Sequence, residues 1–106
     1  MEEKVRISIL LELYGNLLTE KQQDFMDYYY NEDLSLSEIA DNNNITRQAV
    51  RTILLKSKNK LEEYEAKLKF MQKEEEIKKQ IEKIEQVITD KEIKKSIKKI
   101  KEQIDF

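Results

Sequence analysis

Thr46, Arg47, Gln48, Arg51 and Thr52, with Lys56 one turn further on, are the residues of this 106-residue chain whose types and spacing suit a definite chemistry. On a helix that starts at Arg47 they share the outward side. Arginine can pair with guanine through two hydrogen bonds, and glutamine with adenine. Thr46, together with the helix N-terminus, can meet a phosphate. Lys56, Lys58 and Lys60 extend a basic strip along the path a nucleic-acid backbone would take. The plainer alternative is an ordinary exposed Arg/Lys helix face, or the same arrangement used for protein contact.

Catalysis is poorly provided for. With no cysteine there is no thiolate nucleophile, no disulfide and no Cys-type zinc site. With no histidine there is no Ser-His triad, no imidazole acid or base and no His metal site. A single glycine, Gly15, cannot build a P-loop or a dinucleotide-binding turn. Carboxylates are abundant, but runs such as Glu74-Glu75-Glu76 read as solvated helix surface. The expectation is a non-enzyme without cofactor or metal.

The six candidate residues need a frame to hold them, and Leu34 to Ser57 reads as a helix-turn-helix. Ser35 and Glu38 have capping-box spacing, opening a short helix from Leu36 to Asp41. Asn42-Asn43-Asn44 reads as the turn, because asparagine tolerates left-handed backbone. Thr46 then caps the second helix. Ile39 and Ala40 in the first helix, Ile45 in the turn, and Val50 and Ile53 in the second are the packing positions, with Ala40 small enough for close approach. Asn44 stands where the motif usually has glycine. Asn43 stands at an apolar position and weakens the packing there.

Around this frame the sequence predicts only helix. No proline and one glycine leave little to oppose it. A first helix runs from about Glu2 to Tyr14, with Gly15 as its C-terminal cap. It is apolar over most of its circumference, so a second chain could supply part of its cover. A second runs from Thr19, paired with Gln22 in a capping box, to about Tyr30. Tyr28, Tyr29 and Tyr30 point in three directions on such a helix, which argues for at least two of them in or near the core rather than on a base-stacking platform. The helix from Arg47 has no clear stop. Leu61, Tyr64, Leu68 and Met71 continue its apolar stripe.

The remainder is a pattern of isoleucines. Ile77, Ile81, Ile84 and Ile88 recur at 4-3-4 spacing, and Ile93, Ile97, Ile100 and Ile104 repeat it. The five-residue step between the sets turns the second stripe about 160° from the first. Thr89 and Glu92 have capping-box spacing at that break. A hairpin of two helices is the economical reading, with its isoleucines facing inward or onto a partner. A continuous helix with a phase-shifted seam in an oligomer is the rival. The fold class is therefore all-α: a helix-turn-helix bundle over residues 1–70, with a charged C-terminal helical extension or hairpin over 71–106.

Charge is unevenly spread. Forty percent of residues are charged, with a net charge of −2. Residues 1–34 carry −5, residues 35–60 carry +3, and residues 61–106 balance. The only basic segment is thus the helix-turn-helix itself. No apolar run approaches the roughly 18 residues of a membrane span, and no signal-peptide pattern is seen. These features set the expectation of a cytoplasmic protein without membrane insertion.

Two resemblances follow from these residues. Leu17-Leu18-Thr19-Glu20-Lys21-Gln22-Gln23, Tyr28-Tyr29-Tyr30 and Leu34-Ser35-Leu36-Ser37-Glu38-Ile39-Ala40 resemble region 4 of sigma-70-type sigma factors. With Tyr14-Gly15-Asn16 ahead, and Thr46-Arg47-Gln48-Ala49-Val50 and Leu61-Glu62-Glu63-Tyr64-Glu65 behind, residues 5–70 are more similar to the YlxM family. These are small bacterial helix-turn-helix proteins linked to the signal recognition particle. That resemblance implies a sigma-70 region 4-like bundle and a cytoplasmic homodimer. It implies either a DNA-binding regulator of the pathway's genes or an accessory factor that binds the particle's protein or RNA. Among nucleic acids, DNA is favoured over RNA. Carried over by position, Thr46, Arg47, Gln48 and Arg51 would make the nucleic-acid contacts.

Overall fold

A computed structural model describes residues 1–104, and its regular elements are all helical. They are α1 (Glu3–Tyr14), a 3-10 turn (Gly15–Leu17), α2 (Glu20–Tyr30), α3 (Leu36–Asn43), α4 (Arg47–Leu68), α5 (Phe70–Val87) and α6 (Lys91–Gln103). The last two residues of the expected 71–106 extension lie outside the described residues. Two compact units divide the chain, Met1–Lys69 and the segment from Phe70 onward.

The first unit is built by burying one stripe from each of four helices. Ile7, Leu10 and Tyr14 of α1, Phe25 and Met26 of α2, Ile39 and Ala40 of α3, and Val50, Leu54 and Leu61 of α4 form its core. Two polar side chains join them. The Ser57 hydroxyl donates to the Ile53 carbonyl at 2.7 Å, satisfying its own proton within α4. Glu65 is buried and accepts a hydrogen bond from the Tyr14 hydroxyl at 2.7 Å. At the surface, two Arg6–Glu62 bonds of 3.1 and 2.8 Å and the Lys58–Glu3 ion pair clasp α1 to α4.

The helix ends follow the sequence with some exceptions. Thr19 with Gln22 and Ser35 with Glu38 form complete capping boxes. Gly15 does cap α1, but with right-handed backbone (φ −54°) that continues into the 3-10 turn. Its use lies in close approach instead, since an added Cβ would come within 3.3 Å of the Leu11 side chain. The helix that had no clear stop ends at Lys69, whose left-handed backbone (φ 57°) directs its N–H to the Glu65 carbonyl at 2.8 Å. No residue type in the sequence marks that break.

In the second unit α5 and α6 are separate helices joined by residues 88–90, not one continuous helix. The cap of α6 is Asp90 rather than Thr89. One carboxylate oxygen of Asp90 accepts from the amides of Glu92 and Ile93, at 2.8 and 3.1 Å. An anionic cap outcompetes a hydroxyl at a helix N-terminus, which explains the one-residue shift. Met71, Ile81 and Ile97 are buried, and Lys101 bridges back to Glu85 at 2.7 Å.

Candidate nucleic-acid interface

The turn between α3 and α4 decides where the candidate residues point. α3 ends when Asn44 takes left-handed backbone (φ 54°, ψ 44°). Both Asn44 and Ile45 then donate their amides to the Ala40 carbonyl, the latter at 3.1 Å. This is the geometry of a glycine-type helix stop, achieved with asparagine. Asn43, expected to weaken the turn, spends its side-chain amide on the Ile39 carbonyl at 2.8 Å. The chain then passes extended through Thr46, whose hydroxyl accepts from the Ala49 amide at 3.0 Å and starts α4. Ile39, Ala40 and Val50 are buried beneath, while Ile45 and Ile53 are half-buried.

With that face turned inward, Thr46, Arg47, Gln48, Arg51, Thr52 and Lys56 are all exposed. Thr46, Arg47, Gln48 and Arg51 line one open hollow of about 470 Å³ together with Leu36. Gln48, Arg51 and Thr52 border an adjoining hollow of about 500 Å³ that reaches Tyr29, Tyr30 and Lys58. Lys56 lies outside both. The Thr52 hydroxyl donates to the Gln48 carbonyl at 3.0 Å, so its proton is committed to the helix and the oxygen remains as an acceptor.

The electrostatics sort the cations. Lys58 is ion-paired to Glu3, and that hydrogen bond raises its pKa above the ordinary lysine value. Lys58 therefore does not extend the basic strip as a free charge. Arg47, Arg51, Lys56 and Lys60 have no ion pair among the described residues. The amides of Arg47 and Gln48, in the first turn of α4, have no preceding helical carbonyl to bond. Positive charge and open donors thus coincide at the start of α4.

Sequence reasoning missed Leu36, which lines both hollows, because it considered only the second helix of the motif. All three tyrosines of the 28–30 run are half-buried. The Tyr29 and Tyr30 rings meet edge-on at 4.9 Å and 80°, so they present no shared flat face for stacking a base. Among the described residues there is no acidic cluster able to hold a metal ion, and no helix long and apolar enough to cross a membrane.

The whole of this architecture falls within a described pattern. Residues 1–102 match the profile of the family UPF0122, "Putative helix-turn-helix protein, YlxM / p13 like". A UPF0122 protein of Malacoplasma penetrans is 56% identical over 80 residues, covering 72% of this chain and 74% of that one. One from Clostridium kluyveri is 51% identical over 77 residues, covering 73% and 69%. One from Fusobacterium nucleatum is 44% identical over 81 residues, covering 76% and 79%.

Proposed function

The chain belongs to the UPF0122 family of YlxM/p13-like proteins, and from that premise we propose that it is a DNA-binding regulatory protein linked to the signal recognition particle pathway. The observation that carries the reading is the start of α4. There Arg47 and Arg51 stand exposed and without an ion pair, beside Gln48 and a capped helix N-terminus. In this reading α4 enters the major groove, which is wide enough for a helix, and Arg47, Gln48 and Arg51 meet base edges. Thr46 and the first-turn amides take a phosphate and Lys56 one on the flank, while the Thr52 oxygen is left to accept from a base amino group. Duplex DNA suits this arrangement better than duplex RNA, whose major groove is too narrow and deep for side chains to read. Acting on such a pathway places the protein in the cytoplasm. The link to the particle itself rests on the YlxM resemblance.

A second reading has its own support. Between α1 and α2 lies an open groove of about 930 Å³, lined by Val5 and Ile9 and by Glu2, Glu12, Asp24 and Asp27 against one cation, Lys4. An acidic groove repels phosphate and suits a protein partner, as an accessory factor of the signal recognition particle would need. Fluorescence anisotropy with labelled promoter duplex and labelled particle RNA, each across a salt series, separates the two. The DNA reading expects duplex affinity that falls steeply with salt and is weakened in Arg47→Ala and Arg51→Ala. Undetectable duplex binding at low salt removes it. Co-purification of particle protein or RNA, with no duplex binding, moves the function to the second reading.

A further inference from the structure

α1 and α2 each turn one side to the core, through Ile7, Leu10 and Tyr14 and through Phe25 and Met26. The flanks beside those residues form the walls of the open groove of about 930 Å³. Lys4, at the start of α1, reaches Asp33 and the Tyr29 ring at the far end of α2, so the two helices run antiparallel and the groove follows both. Along α1 the lining residues Glu2, Val5, Ile9, Glu12 and Asn16 recur at 3-4-3-4 spacing, which puts them on one straight stripe. Their order is acidic, apolar, apolar, acidic, polar. Asp24 and Asp27 supply the acid of the α2 wall. At 1.5 Å per residue the stripe is about 20 Å long.

The fold leaves both parts of this pattern unspent. Val5 is 49% exposed and Ile9 is half-buried. Glu2, Glu12 and Asp24 have no ion pair among the described residues. Asp27 accepts from the Asn31 side-chain amide at 2.6 Å, a neutral donor that leaves its charge in place. Lys4, the cation in the lining, is committed at 2.9 Å to Asp33, which does not line the groove. Four carboxylates therefore flank an apolar centre with their one cation engaged elsewhere. That excludes most occupants. Phosphate backbones and anionic membrane surfaces are repelled, and the same groove of a second copy would set carboxylate against carboxylate.

We propose that the groove is the docking site for a lysine- or arginine-rich amphipathic helix of a partner protein. The site presupposes that the chain works as a protein-binding accessory factor, and it adds what the partner must present. A helix laid between two antiparallel helices buries its apolar stripe in the groove and keeps its charged flanks at the rim. Apolar residues of the ligand at i and i+4 match the spacing of Val5 and Ile9. Cations on its flanks meet Asp24 and Asp27 along one wall and Glu2 and Glu12 at the two ends of the other. About 20 Å accommodates roughly 14 helical residues. The apolar centre supplies affinity, and the four carboxylates choose the sign of the ligand. None of the residues at the start of α4 lines this groove, so its occupancy does not require theirs.

Anisotropy titration of the full chain against a labelled 14-residue leucine/lysine peptide tests this, with leucines at i, i+4, i+7 and i+11. A scrambled peptide of the same composition is the control. The expected Kd for the patterned peptide is about 10 μM or tighter, with the scrambled one at least about tenfold weaker. Glu12→Lys with Asp24→Lys, and separately Val5→Lys, should each weaken the patterned peptide by about tenfold, with helix content by circular dichroism unchanged. All three positions are exposed. Glu75→Lys with Glu82→Lys, exposed on α5, makes the same change in net charge and should leave binding as it was. Equal binding of the scrambled peptide, equal loss in the α5 pair, or no binding of either peptide would each overturn the proposal. Co-purification of particle protein or RNA judges the accessory-factor reading separately. Particle without peptide binding strikes the groove and keeps that reading, and peptide binding without particle does the reverse.

Discussion

Replacing Asn44 by alanine isolates the physics of the turn that aims α4. Asn44 is exposed, so the substitution removes no packing, and its amide bond to the Ala40 carbonyl survives any side-chain change. What changes is the cost of left-handed backbone at φ 54°. An L-residue pays about 1–2 kcal/mol there, and asparagine recovers part of this through local hydrogen bonding. Asn44→Ala should therefore lower stability by about 1 kcal/mol, and Asn44→Val by more, because branching at Cβ tightens the clash. Glycine escapes that cost but loses about 0.5–1 kcal/mol through its freer unfolded chain. Asn44→Gly should thus lie near the parent. The expected order of urea midpoints is glycine close to asparagine, then alanine, then valine. The melting temperature of Asn44→Ala should fall by about 4–8 °C for a unit of this size. Duplex affinity should be kept in Asn44→Gly, since the turn keeps its geometry. If alanine proved as stable as glycine, the strain at residue 44 would not be what sets the turn.

Other perturbations follow from named contacts. Arg47→Ala and Arg51→Ala should each weaken specific duplex binding by about 1–3 kcal/mol in anisotropy titrations. Lys56→Ala should weaken all sequences alike and reduce the salt slope by about 1. Tyr14→Phe removes a donor from the buried Glu65 carboxylate and should cost about 1.5–3 kcal/mol by urea denaturation. The hydrogen bond from Arg6 holds the Glu62 carboxyl below its ordinary value of 4.5. A group lowered in the folded state stabilises above its unfolded pKa, and that contribution is lost as pH falls through the folded one. The urea midpoint should therefore drop below about pH 4.5, and Arg6→Met should shrink the drop.

What could be read from the sequence was local. Capping at Thr19, Ser35 and Thr46 depends on two or three neighbouring residues, and each forms as spaced. The left-handed turn at Asn44 is also local, because few residue types tolerate it. The packing of Ile39, Ala40 and Val50 follows from helical periodicity. Features decided by distant parts of the chain were hidden. Glu65 reads as one more surface carboxylate, and only the docking of α1 on α4 buries it against Tyr14, 51 positions away. Lys58 reads as part of a basic strip until Glu3 is folded beside it, 55 positions away. The break at Lys69 was hidden for another reason. Lysine is neither a helix breaker nor a usual left-handed residue, so a continuing apolar stripe outweighed it. Thr89 and Asp90 both suit a cap, and the carboxylate takes the position through two amide bonds that spacing alone could not rank.

These distant pairings change what the acidic N-terminal third means for the site. Taken as a sum, −5 over residues 1–34 opposes any approach to phosphate. In the fold, Glu3 is spent on Lys58 and Asp33 on Lys4. The Lys58 pair bears directly on the site, because it removes one of three lysines from the middle of α4 and leaves both arginines at its start. Screening in physiological salt acts over about 8 Å, so a polyanion responds mainly to the charges nearest it. Arg47 and Arg51 sit in the first two turns, beside helix-terminal amides that add partial positive charge. The effect is to weight attraction toward the start of α4, where base edges would be read, while Lys56 and Lys60 keep a weaker positive flank further along. On the proposed DNA-binding reading, a protein with net charge −2 would carry a localised phosphate-facing site without general affinity for polyanions. The weak overall charge then favours selective binding over tight non-specific binding.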